Sequence, residues 1–99
     1  MKVLIIGGNR FFGKQLAQKL LQQGDQVTLL NRGNLPDGLV GARLSRLKVD
    51  RQDKESMLSA LDGKSWDIVY DQVCFDSKTA QDIVEIFSDR VKRFVFTST

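Results

Sequence analysis

Residues 3–13 read Val3-Leu4-Ile5-Ile6-Gly7-Gly8-Asn9-Arg10-Phe11-Phe12-Gly13, and this stretch decides the fold of the 99-residue chain. The four aliphatic residues at its start predict a strand that is buried on both faces of a parallel sheet. The glycines predict a tight turn, and apolar residues at helical spacing follow from Gly13 until Gly24 ends the helix. A strand, a glycine turn and a helix in direct succession predict that backbone N–H groups at the helix N-terminus face a pyrophosphate.

The rest of the chain continues this alternation of strands and helices. Strands are predicted at residues 26–31, 47–50 and 66–73, and a fifth strand is predicted to start at residue 94. Such alternation implies right-handed crossovers and a parallel sheet. The predicted fold is therefore α/β, a Rossmann-like domain of residues 1–99 with helices on both faces of five strands in the order 3-2-1-4-5.

Two further helices are predicted in the second half of the chain. Asp53 is expected to cap the first of them, which makes core contacts through Met57, Leu58 and Leu61. Asp76 or Ser77 is expected to cap the other helix. Its buried face is predicted to hold Ala80, Ile83, Val84 and Phe87.

The composition excludes several classes of site. With no histidine and one cysteine, the chain lacks the residues for a Cys/His zinc site, a histidine-based triad or an intrachain disulfide, and no metal site is expected. Residues 1–51 carry nine Lys/Arg and three Asp/Glu, which predicts an anionic partner, either a phosphorylated small ligand or nucleic acid. The apolar run at residues 3–6 is too short for a membrane span or a signal peptide, so a cytoplasmic location is expected.

Over all 99 residues the chain resembles the extended short-chain dehydrogenase/reductase family, also called the NAD-dependent epimerase/dehydratase family. The family loop reads Gly-x-x-Gly-x-x-Gly, and Arg10 stands here in place of the middle glycine. The variant Gly-Gly-x-Arg-Phe-x-Gly is similar to a subgroup that includes bacterial reductases and chloroplast stem-loop RNA-binding proteins. The resemblance implies that the candidate cofactor-binding residues of the loop are Gly7, Gly8, Asn9, Arg10, Phe11, Phe12 and Gly13. The arginine either faces phosphate or is a solvated loop cation.

The end of the second predicted strand bears on the choice of cofactor. NAD-preferring folds place an Asp or Glu there, whereas this chain has Asn31 and Arg32, which favours NADP(H) over NAD(H). The resemblance further implies that Asp50 contacts the adenine amino group and that Arg51 flanks the ring. Alternatively, Asp50 only begins the turn into the next helix. At the end of the fourth strand, the family pattern places Val73 beneath the nicotinamide ribose.

The family's catalytic Tyr-x-x-x-Lys pair has no counterpart in these residues. The single tyrosine, Tyr70, is followed four residues on by Cys74, and it is expected to be structural. Thr99 matches the family's Ser/Thr that binds the reacting oxygen. The chain is therefore expected to be inactive alone and to be part of a longer protein. Its fifth strand is then expected to be an unpaired edge with the apolar groups of Phe94-Val95-Phe96 exposed, which favours a homodimer through residues 93–98.

These observations leave three functional hypotheses. The leading one is an NADP(H)-binding segment of an oxidoreductase or of a nucleotide-sugar epimerase/dehydratase. The second is an RNA-binding protein of the chloroplast stem-loop type, motivated by Arg10 and by the basic first half of the chain. The third is a catalytically inactive NADP sensor.

Overall fold

The computed structural model describes residues 1–7, 11–31, 41–50, 53–71, 81 and 84–96. Its five strands are all parallel and lie in the order β3-β2-β1-β4-β5, which confirms the predicted order. The elements in chain order are β1 (Lys2–Ile6), α1 (Phe11–Gln22), β2 (Gln26–Asn31), β3 (Leu44–Lys48), α2 (Lys54–Leu61), β4 (Trp66–Asp71) and β5 (Val91–Phe96).

The alternation of side chains along β1 divides the core into two layers. Val3 and Ile5 pack on one face of the sheet with Ala17 and Leu20 of α1. On the opposite face, Leu4, Ile6 and Leu30 pack with residues of α2 and of the helical residues 84–87. All four aliphatic residues of β1 are buried, as expected of a central strand of a parallel sheet covered on both faces.

The helix α2 begins where the sequence predicts. The Asp53 carboxylate accepts hydrogen bonds from the Ser56 hydroxyl at 2.8 Å and from the Ser56 backbone N–H at 3.2 Å. These bonds hold the pKa of Asp53 below its ordinary value, with the hydroxyl as the larger cause. Met57 and Leu61 are fully buried, but Leu58 is 38% exposed, so its predicted core contact is wrong. At 100° per residue, Leu58 lies on the flank of the stripe that Met57 and Leu61 define.

The buried face of the helix before β5 agrees with the prediction at Phe87 and differs from it at Val84. Residues 84–87 are helical, with Ile86 and Phe87 buried and Val84 50% exposed. A stripe centred between residues 86 and 87 leaves position 84 on its flank, which is why the assignment of Val84 to the core was wrong. The predicted caps Asp76 and Ser77 and the core positions Ala80 and Ile83 lie outside the described residues.

An aromatic row connects this helix to β4 and β5. The ring of Phe87 lies 6.2 Å from that of Trp66 and 5.7 Å from that of Phe94. Phe94 is half-buried through this contact, and Val95, on the opposite face of the strand, is half-buried as well. The expectation that the apolar groups of the last strand are exposed is wrong for these two residues. The side chain of Phe96 is outside the described set. The position of β5 at an edge of the sheet is confirmed.

Several element boundaries differ from those predicted. The helix α1 starts at Phe11 and includes Gly13, which was expected to be its first residue. The strand β3 covers residues 44–48, because its backbone pairs with β2 over that range, although only Leu47 and Val49 suggested a strand. The strand β5 begins three residues earlier than expected, and β4 ends at residue 71, with residues 72 and 73 outside the described part. Edge strands are held by backbone pairing, so an apolar pattern marks their ends poorly.

In the part of the chain that the structure describes, no helix combines the length and apolarity that crossing a membrane requires. The same residues contain no group of three or more His, Cys, Asp or Glu side chains placed to hold a metal ion.

Candidate functional site

The carboxyl ends of three adjacent strands meet at one edge of the sheet. In the strand register, Ile6 lies beside Leu30 of β2 on one side and beside Asp71 of β4 on the other. The chain leaves β1 toward β2 and β3, then crosses to β4 and β5, so the direction of winding reverses next to β1. In open α/β sheets, ligands bind in the crevice at this reversal, outside the carboxyl ends of the strands.

Gly7 makes the turn out of β1 at the centre of this edge. Its φ is 83°, in the left-handed region that glycine adopts without the steric penalty of a side chain. Its backbone N–H donates a hydrogen bond of 2.9 Å to the carbonyl of Leu30, which ties the turn to β2. The sequence prediction that a glycine is needed at this sharp turn is therefore supported by the backbone conformation.

The helix α1 follows the turn and brings its N-terminus to the same edge. Residues Gly8, Asn9 and Arg10 lie outside the described part, and α1 begins at Phe11. The first turn of α1 contains no acidic residue. The N–H groups in the first turn of a helix have no partner within the helix, and together with the positive end of the helix dipole they favour an anion there. Together with the glycine turn, these features fit the diphosphate of a dinucleotide.

Asn31 ends β2 at the position where an acidic residue would bind ribose hydroxyls. It is half-buried, and its carbonyl accepts a hydrogen bond of 2.8 Å from the Val49 N–H. Its neighbour in the register is Lys48, the last residue of β3, which is exposed. Arg32, the other predicted residue at this point, lies outside the described residues.

Lys48 is a candidate site residue that the sequence interpretation missed. Leu44 packs on the α1 face of the sheet, so Arg46 and Lys48 lie on that face by the two-residue period of a strand. Leu29 is on the same face, and so therefore is Asn31. The alternation was present in the sequence, but the place of Lys48 depends on the register between β3 and β2, which the sequence alone did not provide.

Asp50 follows β3 at the carboxyl edge and is exposed. Its carbonyl accepts a hydrogen bond of 3.0 Å from the Asp53 N–H, so its backbone forms the turn into α2. This turn was one of the two predicted roles, and it leaves the role of the Asp50 carboxylate toward adenine a prediction. Arg51 lies outside the described residues.

Among the described residues, Asp71 is the ionisable residue at this edge that is completely buried. It ends β4, is 0% exposed, and is engaged in an interaction of its own. Burying a carboxylate is costly unless it is paired or hydrogen-bonded, so such a residue beside a ligand crevice is a candidate for a positioning role. Val73 and Thr99, the other predicted site residues near this point, lie outside the described residues.

Tyr70, the residue before Asp71, packs in the core. It is half-buried and packs against the α1 layer of the core. This packing agrees with the structural role expected of it.

Comparison with known proteins gives one family and several similar structures. The model of the NAD dependent epimerase/dehydratase family matches residues 3–99. The chloroplast stem-loop binding protein of 41 kDa b from Arabidopsis thaliana is 31% identical over 110 residues, which cover 99% of this chain and 29% of that protein. The chain thus spans less than a third of this relative.

Two solved structures share the fold at low sequence identity. The Bordetella bronchiseptica enzyme WbmG in complex with NAD and UDP superposes with a TM-score of 0.79 at 18% identity, covering 95% of this chain and 36% of that one. A short-chain dehydrogenase/reductase from Veillonella parvula in complex with NADP gives a TM-score of 0.80 at 17% identity, covering 99% and 47%.

Proposed function

Since this chain belongs to the NAD dependent epimerase/dehydratase family and forms an NAD(P)-binding segment of it, we propose that it binds NADP(H) in preference to NAD(H). The observation that carries the proposal is made at the end of β2. Asn31 stands there in place of a carboxylate, and Lys48 is its neighbour on the adjacent strand β3. A carboxylate there would repel a 2′-phosphate, whereas a cation attracts it. Arg32, next in the sequence, adds a guanidinium whose geometry suits phosphate.

The loop after β1 is proposed to hold the diphosphate. Gly7 turns the chain, and Gly8, Asn9 and Arg10 follow it toward the start of α1. In this proposal the backbone N–H groups of residues 7–13, those of Phe11, Phe12 and Gly13 included, provide the binding surface, and Arg10 adds a positive charge. The support for it is the left-handed turn at Gly7 and the absence of an acidic residue from the first turn of α1.

The remaining cofactor contacts are proposed along the same edge. Asp50 and Arg51 follow β3 and would hold the adenine, because β3 lies beside β2, where the ribose is expected. Val73 follows β4 and would underlie the nicotinamide ribose. The buried Asp71 would fix the end of β4 from which that stretch starts.

The activity of the whole protein is proposed to be that of an oxidoreductase or of a nucleotide-sugar epimerase/dehydratase. When bound, the nicotinamide supplies a hydride donor or acceptor. Thr99 is proposed to hold the reacting oxygen, since it comes three residues after Phe96, where β5 ends. The complex of WbmG with NAD and UDP supports a sugar attached to a nucleotide as the class of substrate.

RNA binding is not favoured as an alternative. The described edge combines a glycine turn, a helix N-terminus and a reversal of winding, an arrangement that suits a dinucleotide. A role as an inactive NADP sensor and membership of the Gly-Gly-x-Arg-Phe-x-Gly subgroup both stay predictions.

Titration calorimetry of the chain with NADP(H) and NAD(H) tests the proposed preference. We expect tighter binding of NADP(H), and Arg32→Asp should reverse the preference. Lys48→Gln should weaken NADP(H) binding by about threefold to tenfold, the range for one partly exposed charge contact, and should leave NAD(H) binding unchanged. The matched control is Lys19→Gln, which removes the same charge from the last turn of α1.

Two fragments of the cofactor sharpen this test. Adenosine 2′,5′-bisphosphate and adenosine 5′-monophosphate differ only by the 2′-phosphate, so the Lys48→Gln variant should lose affinity for the first alone. Equal affinity of the unmodified chain for NADP(H) and NAD(H), or tighter binding of NAD(H), would overturn the cofactor preference.

A further inference from the structure

The structure describes a second concavity, at the amino-terminal edge of the sheet and away from the candidate dinucleotide site. It has a volume of about 380 Å³, and the described residues lining it include Lys2, Thr28, Arg43, Ser45, Lys64 and Trp66. Along β1, Lys2 lies on the same face of the sheet as Leu4 and Ile6, which pack with α2. The cavity is therefore on the α2 face, near the amino-terminal ends of the strands. Lys64 comes from the turn between α2 and β4.

Three cationic residues, Lys2, Arg43 and Lys64, line this cavity. Within the described ranges, the side chains of Lys2, Arg43 and Lys64 make no ion pair and no hydrogen bond, and no carboxylate lines the cavity. Like charges gathered around one concavity raise its positive potential, and a bound anion lowers that repulsion.

Two carboxylates at this edge of the sheet are already engaged elsewhere. Asp25 pairs with the amino terminus at 3.0 Å. Asp67 accepts the Lys2 backbone N–H at 2.8 Å and lies 3.4 Å from the Lys92 ammonium. Lys92, which lies outside the cavity, is thus paired, whereas Lys2, Arg43 and Lys64 have no such partner among the described residues.

We propose that this cavity binds a small organic phosphate. The three cations can bind the doubly charged phosphate of the ligand, and the hydroxyls of Thr28 and Ser45 can form further hydrogen bonds to it. Trp66 and Leu47 supply an apolar surface for the body of the ligand. The volume falls within the range of about 300–1,000 Å³ that is usual for small-molecule sites.

This site is separate from the dinucleotide site. The strand β1 has five residues, so its two ends are about 13 Å apart at 3.3 Å per residue. The cavity extends along β3 to Leu47, but it lies on the α2 face of the sheet, whereas Asn31 and Lys48 lie on the α1 face, so both ligands can bind at once. Loss of one binding activity without the other would distinguish the two proposals.

Trp66 provides a direct readout, because it lines the cavity and is the one tryptophan of the chain. The chain is titrated at constant ionic strength with phenyl phosphate, inorganic phosphate and uncharged benzyl alcohol, while tryptophan fluorescence is recorded. We expect a saturable change with phenyl phosphate, weaker binding of inorganic phosphate and no binding of benzyl alcohol. Saturation with NADP should leave the dissociation constant for phenyl phosphate unchanged.

Two variants identify the site. Arg43→Gln and Lys64→Gln should each raise the dissociation constant for phenyl phosphate by about tenfold, as expected for one lost charge-assisted contact. Lys19→Gln, with the same loss of charge on the other side of the sheet, should have no effect. An unsaturable response, an equal effect of Lys19→Gln, or equal binding of inorganic phosphate and phenyl phosphate would overturn the proposal.

Discussion

Two leucines in α2 provide a sharp test of the fold, because the same substitution should have very different costs at the two positions. Leu61 is 0% exposed and packs in the core layer with Leu4 and Met57, whereas Leu58 is 38% exposed. Leu61→Ala removes the whole transfer free energy of a buried side chain and leaves a cavity, at a cost of about 2–5 kcal/mol. Leu58→Ala should cost under about 1 kcal/mol, since its side chain already contacts water and alanine favours a helix.

Urea unfolding of the two variants, followed by circular dichroism, measures this difference. We expect the free energy of unfolding to differ between them by about 2 kcal/mol or more, since the change in helix propensity is the same at both positions. At roughly 4–8 °C per kcal/mol for a domain of this size, the midpoint of thermal unfolding of Leu61→Ala should lie at least about 8 °C below that of Leu58→Ala. Equal losses at the two positions would refute the orientation of α2 on the sheet.

Three further predictions concern charge, catalysis and assembly. The Lys2 backbone N–H and, to a lesser degree, the Lys92 ammonium hold the pKa of Asp67 below its ordinary value of 3.8. Asp67 should therefore stabilise the fold above that pH and lose this contribution as the pH falls through its lowered pKa, so Asp67→Asn should flatten the acid side of the stability profile measured by denaturant unfolding. The 99-residue chain should bind cofactor without hydride transfer, because its one tyrosine, Tyr70, packs in the core and has no lysine four residues on; turnover seen as a change in nicotinamide absorbance would contradict this. The edge position of β5 should make the melting temperature rise with protein concentration, and a monomer by light scattering with a constant melting temperature would contradict pairing through this edge.

The central part of the fold could be read from the sequence because its signals are local. The aliphatic run of β1 and the glycine at position 7 specify a buried strand and its turn, and the alternation of elements then limits the strand order. The edges were less predictable. The strand β3 carries Ser45 and Arg46 between its leucines, and backbone pairing with β2 rather than an apolar pattern sets its limits.

The candidate site likewise contains residues that the sequence could identify and one that it could not. Gly7 and Asn31 could be identified because Gly7 directly follows β1 and Asn31 ends β2, and the sequence marks both strands clearly. Lys48 could not, since its place beside Asn31 depends on the register of an edge strand. A slip of one residue in that register would move the lysine to the other face of the sheet, and no local sequence feature excludes such a slip.

The cations of the first half of the chain lie at two different edges of the sheet, which the composition alone does not show. Its excess of cations predicted one anionic partner, yet Lys48 lies at the carboxyl edge of the sheet while Lys2 and Arg43 lie at the amino edge. Parallel strands cause this separation, because the first residues of all strands share one edge and the last residues share the other. The two groups of charge lie more than a Debye length of about 8 Å apart at physiological salt. Each group is therefore proposed to act on its own ligand, and neutralising one should leave binding at the other edge intact.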